Sequence, residues 1–546
     1  MEISWGPPAP GQWARDRSHM PPGCTPILQH IAGTAMPAGM RRMFAEFGTP
    51  LDTLDVRFVN GQFYSRLRPL ISPERPSTKL PPTPVLKLVV RLHPEMRRRA
   101  KRAKRVFDER PWNEVIHDWH HGGKARLVDA NLELQGVDLA ALTDVEVVAH
   151  LQRVLAHGMQ SWEHHFWLHG FDLGPLGQYL FEVGPWGVSA DEALSLLEGA
   201  SPSTSAPMRE LAEIRALVEA SGQQPSDLAG IRALSPEIDR RVGQYLRHRG
   251  AVLFSRYDVD GVTLGERPDL VAASILNAEV YDTSAEVAAR IARARERIAA
   301  EHRDRFDLLL GEARAAMDLR DDNGPTTAEW PLGLVRLAML ELGRRLAAGG
   351  RIPRVELVFE LRHDELHPSV LTSGPSTDEL ERRATERQRW KTVDAPLVLG
   401  DPELAPPPEV LPADMARLVG VVSTVMAHMG MDGADRGDGM TGVGVGTRIV
   451  RARARVAATP EEALDELEPG DVLVVAGTTP AFNLVLSLTG GVVTADGGPM
   501  CHAAVIAREL GIPAIIGARA ALTDIPDGAM VELDPTAGTV RVLART

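Results

Sequence analysis

The spacing of apolar residues divides the chain into a long helical region and a compact C-terminal β/α region. From about residue 84 to about residue 390, apolar side chains recur at every third or fourth position, which predicts amphipathic helices. From Thr447 onward, short apolar runs alternate with turn residues and predict strands and short helices. The clearest predicted helices of the first region are Thr143–Leu168, Ala190–Leu197, Ser284–Leu319 and Trp330–Ala348.

The C-terminal region has the more detailed pattern. One predicted helix is capped by Thr459, and another spans Ala503–Leu510 and ends at Gly511. We therefore expect a multidomain protein in which a large, mostly α domain precedes a C-terminal β/β/α domain. The predicted strands of that domain are Arg448–Val456, Val472–Val475, Val492–Thr494, Ala514–Ile516, Met530–Leu533 and Thr539–Leu543.

Other segments are predicted to connect these domains or to pack on them. Residues 1–75 are rich in proline, glycine and aromatic residues, with short strands at Val56–Val59 and Phe63–Leu67, and we expect them to pack on the helical domain. Asp394–Pro412 is proline-rich and predicts a semi-rigid linker, followed by a short helix near Asp414–His428.

A glycine- and aspartate-rich stretch, Gly430–Gly446, follows that helix. It could be a hinge or a phosphate-cradling loop, and the hinge is favoured because no strand precedes it and no GK[ST] sequence follows. The predicted segments are thus 1–75 (N-terminal segment), 76–393 (helical domain), 394–446 (linker and hinge) and 447–546 (C-terminal domain).

Composition and charge narrow the class of protein. The chain has 546 residues, of which 44% are hydrophobic and 24% charged, and its formal net charge is −13. These values are typical of a soluble protein with several cores, and the negative charge argues against a general nucleic-acid binder. The chain has two cysteines, no apolar run of about 20 residues and no apolar stretch behind a basic N-terminus. We therefore expect a cytoplasmic protein without a membrane span.

One strongly basic run, Met96–Arg105 (MRRRAKRAKR), contrasts with this negative charge. The favoured interpretation is a solvated helix face. The alternative is a docking patch for an acidic partner or for a nucleotide-bearing subunit.

His502 stands where a predicted strand has ended, a glycine pair turns the chain and a helix begins. Unpaired backbone N–H groups and the positive end of the helix dipole stabilise a phosphate at such a position. An imidazole with an ordinary pKa of about 6.5 is also a good nucleophile near neutral pH. We expect the small residues Ala503 and Ala504 to leave its approach open. Spacing alone equally allows a histidine that merely caps or packs the helix.

The residues around His502 resemble the signature of the mobile domain of PEP-utilising enzymes. The similarity runs over Gly497–Ala514 (GGPMCHAAVIARELGIPA), and Gly470–Val474, Thr478–Pro480 and Asp534–Val540 resemble flanking parts of the same pattern. In that family a histidine accepts a phosphoryl group at one active site and swivels to deliver it at another. The resemblance implies that His502 is this histidine. The residues implied for its phosphate loop are Gly497, Gly498, Cys501, Ala503 and Arg508.

The resemblance also bears on Cys501, which invites a redox or thiol-catalytic interpretation. The family accepts serine, threonine or cysteine at this position, so a small loop residue is the favoured interpretation. More loosely, Leu196–Gly199 and Tyr245–Gly250 resemble the substrate domain of the rifampin phosphotransferase type, and Trp13 and His19 resemble the segment that precedes it.

The order of these domains is similar to that of rifampin phosphotransferase-type and phenylphosphate synthase-type enzymes without their ATP-grasp domain. Such a domain needs basic residues for nucleotide phosphates and acidic ligands for Mg²⁺. Neither residues 1–75 nor the sparse lysines suggest one, and since the sequence ends at Thr546 we expect no PEP/pyruvate barrel either. The resemblance then implies a separate ATP-grasp subunit that supplies ATP and Mg²⁺, with no cofactor bound tightly to this chain.

Aromatic and histidine residues of the helical region are the candidates for an acceptor site. A general base must take the proton of an acceptor hydroxyl, and His164, His165 and His248 are unranked candidates for it. Packing in the core is the alternative for the aromatic cluster. The candidate substrate-binding residues are Trp162, His164, His165, Phe166, Trp167 and His248.

Further histidines of the helical region invite a metal-site interpretation. No paired acidic helix accompanies them, so we predict no metal ligand among them. They are His117, His120, His121 and His169, the last four positions after His165.

The sequence thus predicts a phosphotransferase subunit with two half-reactions. A partner ATP-grasp protein would transfer the β-phosphoryl group of ATP to His502, which would pass it to an alcohol or phenol bound in the helical domain. The alternative is a non-catalytic phosphocarrier or regulatory partner protein, in which the helical domain is a protein-docking surface.

Overall fold

The computed structural model describes residues 3–16, 20–71, 79–254, 256–278, 280, 282–430, 439–478 and 482–544. Positions 431–438 of the predicted hinge, together with His19, Thr479 and Pro480, lie outside the described residues. Within the described ranges no helix is both long and apolar enough to cross a bilayer.

The chain forms two compact units, each of which has most of its residue contacts within itself. Unit 1 comprises Met1–Phe171, Tyr257–Gly261 and Asn323–Gly420, and unit 2 comprises Asp172–Arg256, Val262–Asp322 and Val421–Thr546. The four predicted segments follow chain order, whereas the units group residues by contact, so the segment boundaries stay a prediction.

Unit 1 contains a small antiparallel sheet. Its strands β1 (Trp13–Arg15), β2 (Leu51–Val59), β3 (Gln62–Pro69) and β4 (Val398–Leu399) lie in the order β2-β3-β1-β4. The two-residue turn Asn60-Gly61 joins β2 to β3, and both of its residues have positive φ, as a type I′ hairpin requires. The short strands predicted in this region are confirmed and extended.

The proline-rich segment Asp394–Pro412 is held on this sheet, which corrects the linker predicted there. Its Val398 and Leu399 pair with β1 as strand β4. Tyr64 donates from its hydroxyl to the Pro396 carbonyl at 2.7 Å, and Arg66 forms a 2.5 Å ion pair with Glu403. Proline disfavours the interior of a helix but leaves an edge strand possible, so a proline-rich segment can still be fixed by side-chain contacts.

Helix Pro26–Phe47 was not predicted from the sequence. Thr25 caps it by accepting from the Leu28 N–H, and Pro37 lies inside it. The helix buries Ile27, Leu28 and Ile31. Because proline and glycine interrupt its apolar spacing, the pattern resembles a loop, and tertiary burial of the apolar face stabilises the helix instead.

The helices of unit 1 include two π-helical turns, and three helices have residues in both units, namely Asp144–Val183, Arg303–Gly324 and Ala413–His428. Helix Asp144–Val183 is 40 residues long and begins at the predicted cap, where Thr143 and Glu146 bond each other's backbone N–H. The α-helices are Pro26–Phe47, Thr83–Leu92, Pro94–Glu109, Trp112–Asp118, Lys124–Gln135, Asp144–Val183, Trp330–Ala348, Val370–Ser373, Thr377–Thr392 and Ala413–His428, with 3₁₀ turns at Leu139–Ala141, Val355–Glu360, His363–Glu365 and Pro408–Val410 and π turns at Trp119–Gly123 and Pro325–Glu329.

The helical part of unit 2 corrects the single helix predicted over Ser284–Leu319. Ile298 is extended and separates helix Ser284–Arg297 from helix Arg303–Gly324. The break lets Ile298 and Phe306 bury in one apolar cluster. The remaining α-helices of this part are Ala190–Ser195, Pro202–Ala220, Leu228–Ala233, Pro236–Arg249 and Pro268–Leu276, with 3₁₀ turns at Gly184–Trp186, Leu264–Glu266 and Ala300–His302.

The C-terminal part of unit 2 is a seven-stranded mixed sheet in the order β11-β10-β6-β7-β8-β9-β5. Strands β6 to β9 are parallel, and β5, β10 and β11 add antiparallel edges. The predicted strands and helices are confirmed within a few residues. The strands are β5 (Val443–Val445), β6 (Val450–Val456), β7 (Val472–Val475), β8 (Gly491–Thr494), β9 (Ala514–Ile516), β10 (Met530–Asp534) and β11 (Thr539–Ala544), and the helices are Pro460–Glu466, Asn483–Leu486, His502–Glu509 and Ala521–Asp524.

Strand β5 corrects the end of the predicted hinge. It pairs with β9, and the position of a side chain on Gly444 would lie 1.7 Å from the Pro535 carbonyl oxygen. Only glycine permits this close backbone approach, so here a glycine serves the packing of a sheet rather than mobility.

Candidate active site

His502 is the first residue of a helix that follows a tight turn after strand β8. Cys501 occupies the N-cap with extended backbone angles, and the helix runs over His502–Glu509. Gly497 has φ +111°, and a side chain there would lie 2.9 Å from the Cys501 sulfur. The predicted glycine turn and helix start are therefore confirmed, and the imidazole lies at the positive end of the helix dipole.

Thr478, in the loop after β7, holds one nitrogen of the His502 ring. Its Oγ1 and the His502 Nδ1 are hydrogen-bonded at 2.8 Å. This contact fixes the ring orientation and directs Nε2 away from Thr478. The sequence pattern places Thr478 in a family turn but does not identify it as a partner of His502.

For the phosphorylation of His502 that the family resemblance implies, replacing Thr478 with valine is expected to slow the reaction about 2- to 12-fold, the range set by one lost hydrogen bond of about 0.5–1.5 kcal/mol. Thr478→Ser should keep most of the rate because it keeps the hydroxyl. The rate of label incorporation measures this, and ¹⁵N NMR of the imidazole reports the tautomer independently. Equal rates and tautomers in Thr478→Val would show that the contact has no role.

Two arginines hold the turn that precedes His502. Arg508 donates to the Pro499 carbonyl at 2.5 Å, and burial lowers its pKa. Arg320, from the helical part of unit 2, donates to the Met500 carbonyl at 2.7 Å. Arg508 was predicted for the loop from the family pattern. Arg320 was missed, since no local motif connects it with a loop 180 positions away.

Ala503 and Ala504 face the protein interior, which corrects the open approach predicted for them. Both are fully buried in the cluster beneath the sheet. Their small side chains let the helix pack closely on the strands, so the access to His502 depends on other residues.

Cys501 does not have the features of a reactive thiol. Burial raises the pKa of its thiol. The backbone N–H groups of Ala504 and Gly498 lower the pKa, but this effect is smaller than that of burial. A protonated thiol is a poor nucleophile. This supports the interpretation of Cys501 as a small loop residue.

Within unit 2 the loop of His502 packs on the helical part. The Met500 side chain is buried in a cluster with Leu176, Met317 and Val425. Glu509, at the end of the His502 helix, accepts a hydrogen bond from the Gly199 N–H at 2.9 Å. A small cavity adjoins this contact, lined by Leu197, Glu198, Met317, Arg320, Pro499, Met500, Val505, Arg508 and Glu509 among others.

Burial raises the pKa of Glu509 to about 7, with Asp321 and Glu198 adding to the rise and the Gly199 N–H and Arg314 opposing it. In the unfolded chain this carboxyl titrates near 4.5. Between these values the folded protein binds a proton that the unfolded chain releases. The stability that the protonated Glu509 contributes to the folded protein is therefore fully present below pH 4.5 and is lost as the pH rises to about 7.

Relative to Glu509→Gln, the unchanged protein is thus expected to lose up to about 3 kcal/mol of unfolding free energy between pH 5 and pH 8. Urea unfolding at both pH values measures this difference. The same pH dependence in both proteins would contradict the raised pKa.

The candidate acceptor residues lie on helix Asp144–Val183, except His248. In unit 1, Trp162 and Phe166 are buried, which favours the packing alternative for them. His164 stacks on Trp167, which also receives the Arg42 guanidinium on its ring and donates to Glu46. His248 lies in unit 2, near the end of helix Pro236–Arg249.

The pKa values of the two adjacent histidines argue against a role as general base. Burial, with help from Arg42, lowers the pKa of His164 to about 4. Burial and His169 lower the pKa of His165 well below its ordinary value, and its Nδ1 is 3.1 Å from the Thr327 hydroxyl. An efficient base has a pKa near the working pH, so both are weak candidates.

Three of the histidines considered for a metal site, His117, His121 and His169, lie against other histidine rings. His117 and His121 stack at 3.9 Å, and His165 lies edge-on to His169 at 4.7 Å. Over the residues that the structure describes, no group of three or more histidine, cysteine or acidic side chains is arranged to hold a metal ion.

Comparison with known proteins agrees with this geometry. A family model described as "PEP-utilising enzyme, mobile domain" matches residues 467–538, which include the whole turn and helix of His502. A rifampicin phosphotransferase of Streptomyces sviceus is 34% identical over 207 residues, which is 38% of this chain and 21% of that protein. An uncharacterised phosphotransferase of Bacillus subtilis is 29% identical over 211 residues, 39% of this chain and 24% of that protein.

A phosphoenolpyruvate synthase of Aeropyrum pernix is 40% identical over 99 residues, which is 18% of this chain and 12% of that protein. The chain thus spans less than a quarter of the length of each of these relatives. Residues 467–538 are thus similar to the mobile domain of PEP-utilising enzymes, and the chain is similar to phosphotransferases over part of its length.

Proposed function

We propose that this chain is a subunit of an ATP-dependent phosphotransferase in which His502 carries the phosphoryl group. The observation that carries the proposal is the position of His502 at the start of its helix, behind a glycine turn, with Nδ1 bonded to Thr478. The similarity to phosphotransferases over about two fifths of the chain supports the reaction class.

In the first half-reaction, Nε2 of His502 is the nucleophile. The reaction uses the tautomer with its proton on Nδ1, which can donate to the Thr478 oxygen across the 2.8 Å contact and leaves the lone pair on Nε2. A separate ATP-grasp subunit presents ATP with Mg²⁺. Nε2 forms a P–N bond with the β-phosphorus while the bond from that phosphorus to the α-phosphate oxygen breaks, so AMP leaves. Water then cleaves the β–γ phosphoanhydride and releases the γ-phosphoryl group as inorganic phosphate. The products are phospho-His502, AMP and inorganic phosphate.

In the second half-reaction, a hydroxyl oxygen attacks the phosphorus and the P–N bond breaks. The electron pair returns to Nε2, and a base takes the hydroxyl proton. The acceptor is an alcohol or phenol bound in the helical region. Within unit 2 the loop of His502 already contacts that region through Met500, Arg320 and the Glu509–Gly199 hydrogen bond.

Labelling with two ATP isotopomers tests this function. The full chain is incubated with an ATP-grasp protein and either β-³²P-ATP or γ-³²P-ATP. We expect label on the chain only from the β position, stable in alkali, labile in acid and located on the peptide that contains His502. Label that persists in His502→Ala would contradict the proposal. Label on His502 that passes to another protein and to no hydroxyl compound would favour a non-catalytic phosphocarrier.

A further inference from the structure

Helix Thr83–Leu92 in unit 1 exposes a continuous apolar face. Val85, Leu88, Val89 and Leu92 follow the spacing i, i+3, i+4, i+7 and so share one side of the helix. Their side chains are 47, 55, 40 and 61% exposed. Isolated exposed apolar residues are ordinary, but four on one helix face mark an interaction surface.

The next helix, Pro94–Glu109, adds a basic face to this surface. It packs inward through Met96, Ala103 and Val106. His93 ends the first helix and caps the second, so the two helices follow one another directly in the chain. Five of the eight exposed residues of the second helix are basic, namely Arg97, Arg98, Lys101, Lys104 and Arg105.

Glu95 pairs with Arg98 at 3.1 Å and with Arg99 at 3.2 Å, and acidic Asp108 and Glu109 follow only at the end of the helix. The surface therefore keeps a positive potential beside its apolar face, on a chain whose net charge is −13. An apolar centre with a charged rim is the usual anatomy of a protein interface.

We propose that this docking surface, formed by Val85, Leu88, Val89, Leu92, Lys101 and Lys104, binds an acidic protein partner, the ATP-grasp subunit that phosphorylates His502. The proposal rests on the proposed function. We infer an acidic partner from charge complementarity, because a basic rim on an anionic chain attracts an acidic surface and repels a basic one.

Two other occupants fit the surface less well. A second copy would bring two basic rims together in a symmetric contact, and like charges across an interface are unfavourable. An anionic bilayer would attract the basic face but repel the chain as a whole, and the apolar face has four aliphatic residues and no aromatic anchor.

Titration of the partner tests the docking surface. The full chain is labelled from β-³²P-ATP at increasing concentrations of the ATP-grasp protein that labels His502. We expect Leu88→Asp/Leu92→Asp to raise the half-saturating partner concentration about tenfold or more, with the same plateau of label. Lys101→Glu/Lys104→Glu should also raise the half-saturating partner concentration and weaken the dependence of that concentration on salt. This variant leaves the inner face of helix Pro94–Glu109 unchanged.

The matched control is Leu308→Asp, which places the same charge on an exposed leucine of helix Arg303–Gly324 and should leave the titration unchanged. Normal label with unchanged half-saturation in both surface variants would overturn the docking surface alone. Absence of label on the unchanged chain at every partner concentration would overturn the proposed function and, with it, this partner.

Two further measurements address the other occupants. In flotation with phosphatidylglycerol vesicles we expect no binding of the full chain. If the full chain bound the vesicles and Leu88→Asp/Leu92→Asp did not, that result would overturn the protein partner in favour of a membrane. In sedimentation velocity of the chain alone we expect no self-association that depends on Leu88 and Leu92. A dimer that Leu88→Asp/Leu92→Asp abolishes would overturn the ATP-grasp partner in favour of a second copy of the chain.

Discussion

Replacing His502 with alanine is expected to lower phosphorylation of the proposed acceptor by about 10⁴-fold or more, because the proposed reaction loses its nucleophile. The substitution removes the ring that Thr478 orients and leaves the turn and helix in place, since Arg320 and Arg508 hold the backbone of the turn. Formation of AMP and of phosphorylated acceptor should fall together, because both proposed half-reactions pass through the same nitrogen. Product formation from ATP, followed with the ATP-grasp protein present, measures the loss.

The control for this substitution is His367→Ala. His367 is an exposed histidine of unit 1 whose Nδ1 lies 3.4 Å from the Ser369 hydroxyl, and its loss should leave the rate unchanged. Thermal unfolding should show that both variants remain folded. If His502→Ala kept a rate within tenfold of the unchanged chain, the phosphoryl group would have to travel by another route.

Replacing Arg387 with alanine is expected to destabilise unit 1 by about 3–5 kcal/mol, the range for breaking a buried ion pair. Arg387 forms hydrogen-bonded ion pairs with Glu360 at 2.7 Å and with Asp260 at 2.5 Å, and all three side chains are buried. Without the guanidinium, Glu360 is left as a buried charge, and Asp260 keeps only Lys391 at 3.0 Å among its ion pairs in the described structure. The free energy of unfolding from urea titration measures the effect.

The same helix, Thr377–Thr392, provides the control. Arg382 also pairs with two carboxylates, those of Glu379 and Glu386, but its side chain is 54% exposed. Arg382→Ala should therefore cost no more than about 1 kcal/mol. Because a protein with two units can unfold in two steps, the loss should be confined to one transition. Equal losses in the two variants would mean that burial does not decide the strength of these pairs.

The C-terminal sheet and the start of the His502 helix could be predicted because their signals are local. Alternating apolar residues set the strands, and glycine turns end them. A residue such as Thr143 or Thr459 can be identified as a cap because it bonds the backbone only three residues ahead. Local signals of the same kind predict His502 at a helix N-terminus, and the residues on either side of it suffice to indicate the mobile-domain family.

Tertiary structure decided the features that depend on distant residues. The break at Ile298, the helix Pro26–Phe47 and the strand β4 exist because their apolar or backbone groups find partners elsewhere in their units. The contacts of Arg320 with Met500 and of Glu509 with Gly199 join positions 180 and 310 residues apart. Sequence periodicity records which side of an element is apolar, but not which other element covers that side. Only packing could show that Ala503 and Ala504 face the core and that Thr478 orients His502, because these roles are set by neighbours in space.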